Sequence, residues 1–115
     1  MITGGNEMED LGFGTMQELQ KELQEKYKDR WVRLEPGKGR DSLLWMMAET
    51  GEIAQVIKKQ GDERIMEDAE VRKHFIEEMC DTLMYFNDLM ICYDITPEEL
   101  RTVYLDKHDR NMRRW

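Results

Sequence analysis

Between Glu70 and Tyr93 the apolar residues go all the way round a helix: Val71, Phe75, Ile76, Met79, Leu83, Met84, Phe86, Leu89, Met90 and Ile91. Such a helix has no solvent face of its own and must be covered on several sides. Other helices are the expected cover. Only two prolines interrupt the 115 residues, ten methionines add helix formers, and strand-like alternation is missing. The expected class is all-α, in a single domain.

The remaining elements follow from period and punctuation. Residues Met1–Gly14 hold four glycines without a period and read as a loose arm, leaving residues 15–115 as the domain. Thr15 and Glu18 match a capping box, and Met16, Leu19, Leu23 and Tyr27 recur at helical spacing, so a first helix is expected over Met16–Asp29. Arg30–Arg40, with Pro36, Gly37 and Gly39, reads as a loop in which Lys38 or Arg40 could face an anion. A second helix is expected from an N-cap at Asp41 or Ser42 to Gln60, with Gly61 as its stop and a polar connection to Ala69. Its inner face is read as Leu43, Met46, Met47, Thr50, Ile53, Ala54 and Ile57. The Glu70–Tyr93 helix comes third. Thr96-Pro97-Glu98-Glu99 starts a fourth, whose inner stripe of Leu100, Val103 and Tyr104 continues into Lys107, Asn111 and Arg114.

Charge narrows the function. Seventeen basic against 25 acidic side chains give a net charge of −8, which argues against a general nucleic-acid binder. No apolar run approaches the ~20 residues of a membrane span. The first ten residues carry no apolar signal core. Cys80 and Cys92, on one expected helix, would be roughly 18 Å apart and unable to bridge. A reduced, cytoplasmic protein is expected.

Two acidic pairs stand out: Glu49-x-x-Glu52 on the second helix and Glu78-x-x-Asp81 on the third. A spacing of three keeps both members of a pair on one side of a helix. Glu78 and Asp81 share an arc with Val71, Phe75, Tyr85 and Leu89, where unpaired carboxylates would each cost several kcal/mol. His74 and Lys107 are the nearest basic candidates, too few for four acids. A cation is the better compensation. The donors are all oxygen, and no Glu-x-x-His motif of a di-iron bundle occurs, so magnesium is expected, with manganese as a substitute. Lys107, Asn111 and Arg114 add phosphate donors on the inner stripe, and Lys58 and Lys59 are weaker candidates. Metal, carboxylates and donors together suit cleavage of a phosphoanhydride by water. No serine or cysteine has the neighbours of an activated nucleophile.

In this ordered set the chain resembles the MazG-like, all-α nucleoside triphosphate pyrophosphatases. Their signature is Glu-x-x-Glu, a spacer and Glu-x-x-Asp, matched here by Glu49, Glu52, Glu78 and Asp81. Their trailing Lys-x-x-x-Asn-x-x-Arg is matched by Lys107, Asn111 and Arg114. The resemblance spans about Leu19 to Trp115. It implies a four- or five-helix protomer with a site built within a dimer or tetramer. It further implies magnesium held by the four acids, and hydrolysis between the α and β phosphates to a nucleoside monophosphate and pyrophosphate. Ala48 stands where the family often has a further acid, which leaves the general base open. Trp45, one turn before Glu49, is the first candidate for base stacking, with Trp31 and Tyr85 behind it. The rival readings are a related enzyme acting on another nucleotide, such as phosphoribosyl-ATP, and a non-enzymatic helical regulatory or assembly dimer.

Overall fold

Four α-helices and one short 3-10 turn form the fold, in the computed structural model that describes residues 11–115. Helix α1 is Phe13–Lys26, the turn is Pro36–Lys38, α2 is Gly39–Glu67, α3 is Ala69–Cys92 and α4 is Pro97–Arg114. No strand occurs among the described residues. Most of the expected N-terminal arm lies outside them.

The fold is organised around an antiparallel hairpin of α2 and α3. Contacts mark successive levels along it: Glu49 beside Glu78 and Asp81, Trp45 beside Tyr85, and the Ser42 hydroxyl 3.7 Å from Cys92 Sγ. At the end of the hairpin Gly39 is buried, and a Cβ there would collide with the Tyr93 ring. Glycine there leaves room for the half-exposed Tyr93 ring, which a larger residue would push aside. Helix α1 packs on α3 through a Phe13–Phe86 edge-to-face pair, centroids 5.9 Å apart, and two buried glutamines. Gln17 Nε2 donates to the Ile95 carbonyl at 3.1 Å, and Gln20 Nε2 donates to Asp88 Oδ1 at 2.8 Å. Helix α3 is the element that touches α1, α2 and the turn, the central place expected of it. Its cover is incomplete, since Ile76, Met79 and Leu83 remain exposed.

Several boundaries differ from expectation. Helix α1 begins at Phe13 rather than Met16, so Thr15 lies inside it and caps nothing; the N-cap is Gly12. Packing of the Phe13 ring on Phe86 favours the extra turn. Neither Asp41 nor Ser42 caps α2, which starts from Lys38, and Ser42 is buried instead. The cap of α3 is Asp68, whose Oδ1 accepts from the N–H groups of Glu70 and Val71 at 3.0 and 3.2 Å. Those backbone bonds hold the Asp68 carboxyl below its ordinary range. Gly61 breaks α2 as expected: at φ 79° and ψ 161° it sits in a region nearly reserved for glycine. Helical turns resume after it up to Glu67.

Helix α4 has the expected start. Thr96 Oγ1 accepts from Glu99 N at 3.1 Å, and Glu99 Oε1 accepts from Thr96 N at 3.0 Å. Its expected inner face is not covered by the other described elements. No residue of α4 is buried, Val103 and Tyr104 are 62% and 69% exposed, and the helix makes almost no contact with the others. Exposed Leu43, Met47 and Ile57 likewise leave part of the expected inner face of α2 open. The buried apolar side chains among the described residues are Val56, Ile65, Met90 and Cys92.

Candidate metal centre and its cleft

Helices α2 and α3 bring three of the four acids together. One carboxylate oxygen each from Glu49, Glu78 and Asp81 lie within 4.8 Å of one another, on half-buried side chains. The i,i+3 spacing on α3 turns Glu78 and Asp81 to one side, and the antiparallel register sets Glu49 opposite. Glu52, one turn along α2, is exposed and outside this group, though near enough for its charge to act on Glu49. Desolvation raises the Glu49 carboxyl above its ordinary 4.5, and Asp81, Glu78 and Glu52 push it the same way. Glu49 therefore gives up its proton less readily than a free carboxyl. His74 Nε2 is 3.7 Å from Glu78 Oε1 on the outer side of the pair.

The donor set fits a hard divalent ion. It is oxygen only, and ligand oxygens around magnesium lie roughly 3–4 Å apart for bonds near 2.1 Å. Rotation of side chains as long as glutamate closes the remaining gap. Cys80, the nearest soft donor in sequence, is outside the cluster.

A cleft of about 530 Å³ opens beside the acids, with Glu49 and Asp81 in its wall. Trp45 and Tyr85 line it one turn further along each helix, their rings near-parallel at 21° with centroids 6.4 Å apart. Burial raises the Tyr85 hydroxyl, and the charges of Glu49, Asp88 and Asp81 add to it, in keeping with a position between the acids and Asp88. The segment between α1 and α2 contributes Arg30, Trp31, Arg33 and Lys38. Gln20 and Asp88 complete the wall another turn on.

The other expected donors are elsewhere. Lys107, Asn111 and Arg114 lie on α4 and do not line the cleft. Within one chain the cationic lining comes from Arg30, Arg33 and Lys38. Sequence reasoning had Lys38 as an option and missed the two arginines, since a polar loop carries no period that tells which way it turns. It also missed Gln20 and Asp88, which meet across 68 residues of chain. Comparison of the chain with protein-family models, with curated proteins and with solved structures finds no match.

Proposed function

We propose that the chain is a magnesium-dependent nucleotide pyrophosphohydrolase, cleaving a nucleoside triphosphate between the α and β phosphates. The observation that carries this reading is the convergence of Glu49, Glu78 and Asp81, two of which, Glu49 and Asp81, line a cleft that also holds aromatic and cationic side chains. An acidic group alone attracts any divalent ion. An acidic group beside stacking faces and positive charge suits a ligand with phosphates at one end and a ring at the other. The ordered acidic motifs shared with the MazG-like pyrophosphatases support the same reading.

Glu49, Glu78 and Asp81 hold the ion in this reading. Magnesium, when bound, neutralises phosphate oxygens and makes a water more acidic. A carboxylate of the acidic group accepts the proton of the attacking water. Arg30, Arg33 and Lys38 bind the phosphates and stabilise charge on the leaving pyrophosphate. Trp45 and Tyr85 offer their faces to the base. No side chain forms a covalent intermediate.

The working form is a homo-oligomer. Apolar side chains left exposed on α2, α3 and α4 favour association, and α4 has no cover among the described residues of its own chain. Assembly brings Lys107, Asn111 and Arg114 of one copy to the acids of another. A nucleotide panel with magnesium, including a phosphoribosylated nucleotide, tests the activity. Release of pyrophosphate with a nucleoside monophosphate supports the reading, and release of orthophosphate alone refutes the cleavage point. Mixing inactive Glu78→Ala with inactive Lys107→Ala tests the shared site. Recovered activity in the mixture is expected; none at any ratio removes the contribution of α4.

A further inference from the structure

The buried Gln20–Asp88 pair belongs neither to the metal centre nor to the phosphate-binding side chains. Both residues line the cleft, yet Gln20 is only 6% and Asp88 8% exposed. Their bond uses Gln20 Nε2 and Asp88 Oδ1. Among the described residues Asp88 enters no ion pair, and neither Asp88 Oδ2 nor Gln20 Oε1 has a hydrogen-bond partner. Neither free oxygen is sealed off, the fully buried unpartnered side-chain oxygen among the described residues being Asn87 Oδ1; Asp88 Oδ2 keeps a narrow opening to the cleft, and the carboxylate has a single neutral donor. The position is equally telling. Asp81, Tyr85 and Asp88 follow one another at helical spacing, so Asp88 is about 10 Å from Asp81 along α3. A nucleotide whose phosphates sit at the acids and whose ring lies along Tyr85 reaches that far with the outer edge of its base.

We propose that Asp88, held by Gln20, reads the base edge and selects bases carrying an exocyclic amine beside a ring nitrogen, as in cytosine and adenine. This rests on the nucleotide reading above and names the substrate class within it. The amine N–H supplies the donor that Asp88 Oδ2 lacks. A carbonyl at the same position, as in uracil or hypoxanthine, sets two acceptors against each other. Carboxylates accept from the amino groups of bases elsewhere for the same reason. Gln20 is the positioning residue: its N–H fixes which carboxylate oxygen is engaged.

The test uses two matched pairs of nucleoside monophosphates, cytidine with uridine and adenosine with inosine, titrated by calorimetry into the full-length protein with magnesium. Within each pair the ligands differ at the base by amine for carbonyl and by a bare ring nitrogen for the N–H beside it, and a cytidine analogue lacking only the amine separates the two. In at least one pair the amine partner is expected to bind about tenfold more tightly or better, the scale of a hydrogen bond to a charged group. Asp88→Asn keeps an acceptor for Gln20 and sets an N–H donor in the place of Oδ2, so the preference within that pair should invert. A melting curve of Asp88→Asn shows whether it folds. If it does not, a cytidine analogue lacking the amine, titrated into wild type, serves instead and should bind as weakly as uridine monophosphate. Both pairs binding within about twofold would overturn the inference. So would a preference that Asp88→Asn leaves unchanged, as expected if the pair only ties α1 to α3. In those cases nucleotide binding itself stands. Failure of all four ligands to bind, with no triphosphate cleaved, would remove the nucleotide reading and this inference together.

Discussion

The α2–α3 hairpin and helix α4 are alike as sequence and unlike as structure. Each carries a helical stripe that passes from apolar to charged residues, and each contributes residues to one ordered motif set. In the hairpin the stripes face each other and gather three carboxylates within 4.8 Å. In α4 the stripe is left uncovered by the other described elements. The difference lies in what makes each helix. Helix α4 is secured by local means: the Thr96 capping box, Pro97 in its first turn, and ion pairs Arg110–Asp106 and Arg113–Asp109 one turn apart. Exposed pairs of this kind contribute about 0.3–0.5 kcal/mol each. Those devices set where a helix runs but not what it packs on. The hairpin is secured by tertiary contact, and only there does periodicity become a site.

The largest expected effect breaks the hairpin's chemistry. Glu78→Ala should lower pyrophosphate release by at least about a hundredfold, the scale of losing one charge-stabilising group. Magnesium is expected to raise the melting temperature of the wild type and to leave that of Glu78→Ala unmoved. Equal magnesium responses in the two proteins would sever the acids from the metal. Two glycines of α2 supply the next contrast. Gly61→Ala forces a Cβ onto a backbone at φ 79°, in open space, and should destabilise by about 1–3 kcal/mol. Gly51, inside the same helix and equally open, has no such backbone, so Gly51→Ala should stabilise by roughly 0.5–1 kcal/mol. Thermal melts read both, and shifts of the same sign would contradict the break at Gly61.

Thr96→Ala sharpens the comparison from the side of α4. Loss of the cap should cost that helix about 1 kcal/mol. In a dilute single chain α4 frays alone, seen as faster amide exchange in its first turn with the main melting midpoint unmoved. In the assembled protein the same change should lower the midpoint, because α4 is then covered. A lowered midpoint in the single chain would show α4 packed on its own hairpin.

What could be read in the sequence divides along the same line. Local signals were legible: the helical class, the Gly61 break, the Thr96 start and the shared side of Glu78 and Asp81 on α3. Among contacts between distant segments, the meeting of Glu49 with that pair was legible, though Glu52 was expected there too, and the others were not. Phe13 joins α1 because Phe86 is there to receive it, and the end of the Tyr93 ring takes the space that Gly39 leaves at the start of α2. Gln17 and Gln20 are more buried than Leu19 and Leu23 beside them, an inversion no apolar stripe announces. Arg30 and Arg33 line the cleft from a loop without a period.

The smallest effect concerns Asp88 in the absence of ligand. Burial raises its carboxyl above the ordinary 3.8, and the Gln20 hydrogen bond offsets this only in part. The folded chain thus holds that proton more tightly than the unfolded chain. The group's favourable contribution is full below the unfolded value and is lost as pH rises through the folded one. Asp88→Asn has no proton to lose and keeps the acceptor for Gln20. Its melting temperature should therefore exceed that of wild type slightly at neutral pH and match it in acid below the ordinary carboxyl range. If the variant is the less stable at every pH, the ionised carboxylate is favoured by its surroundings and needs no further donor. If instead replacement steadies the empty protein while changing which bases bind, the charge at Asp88 costs stability and contributes recognition, a trade common at functional sites.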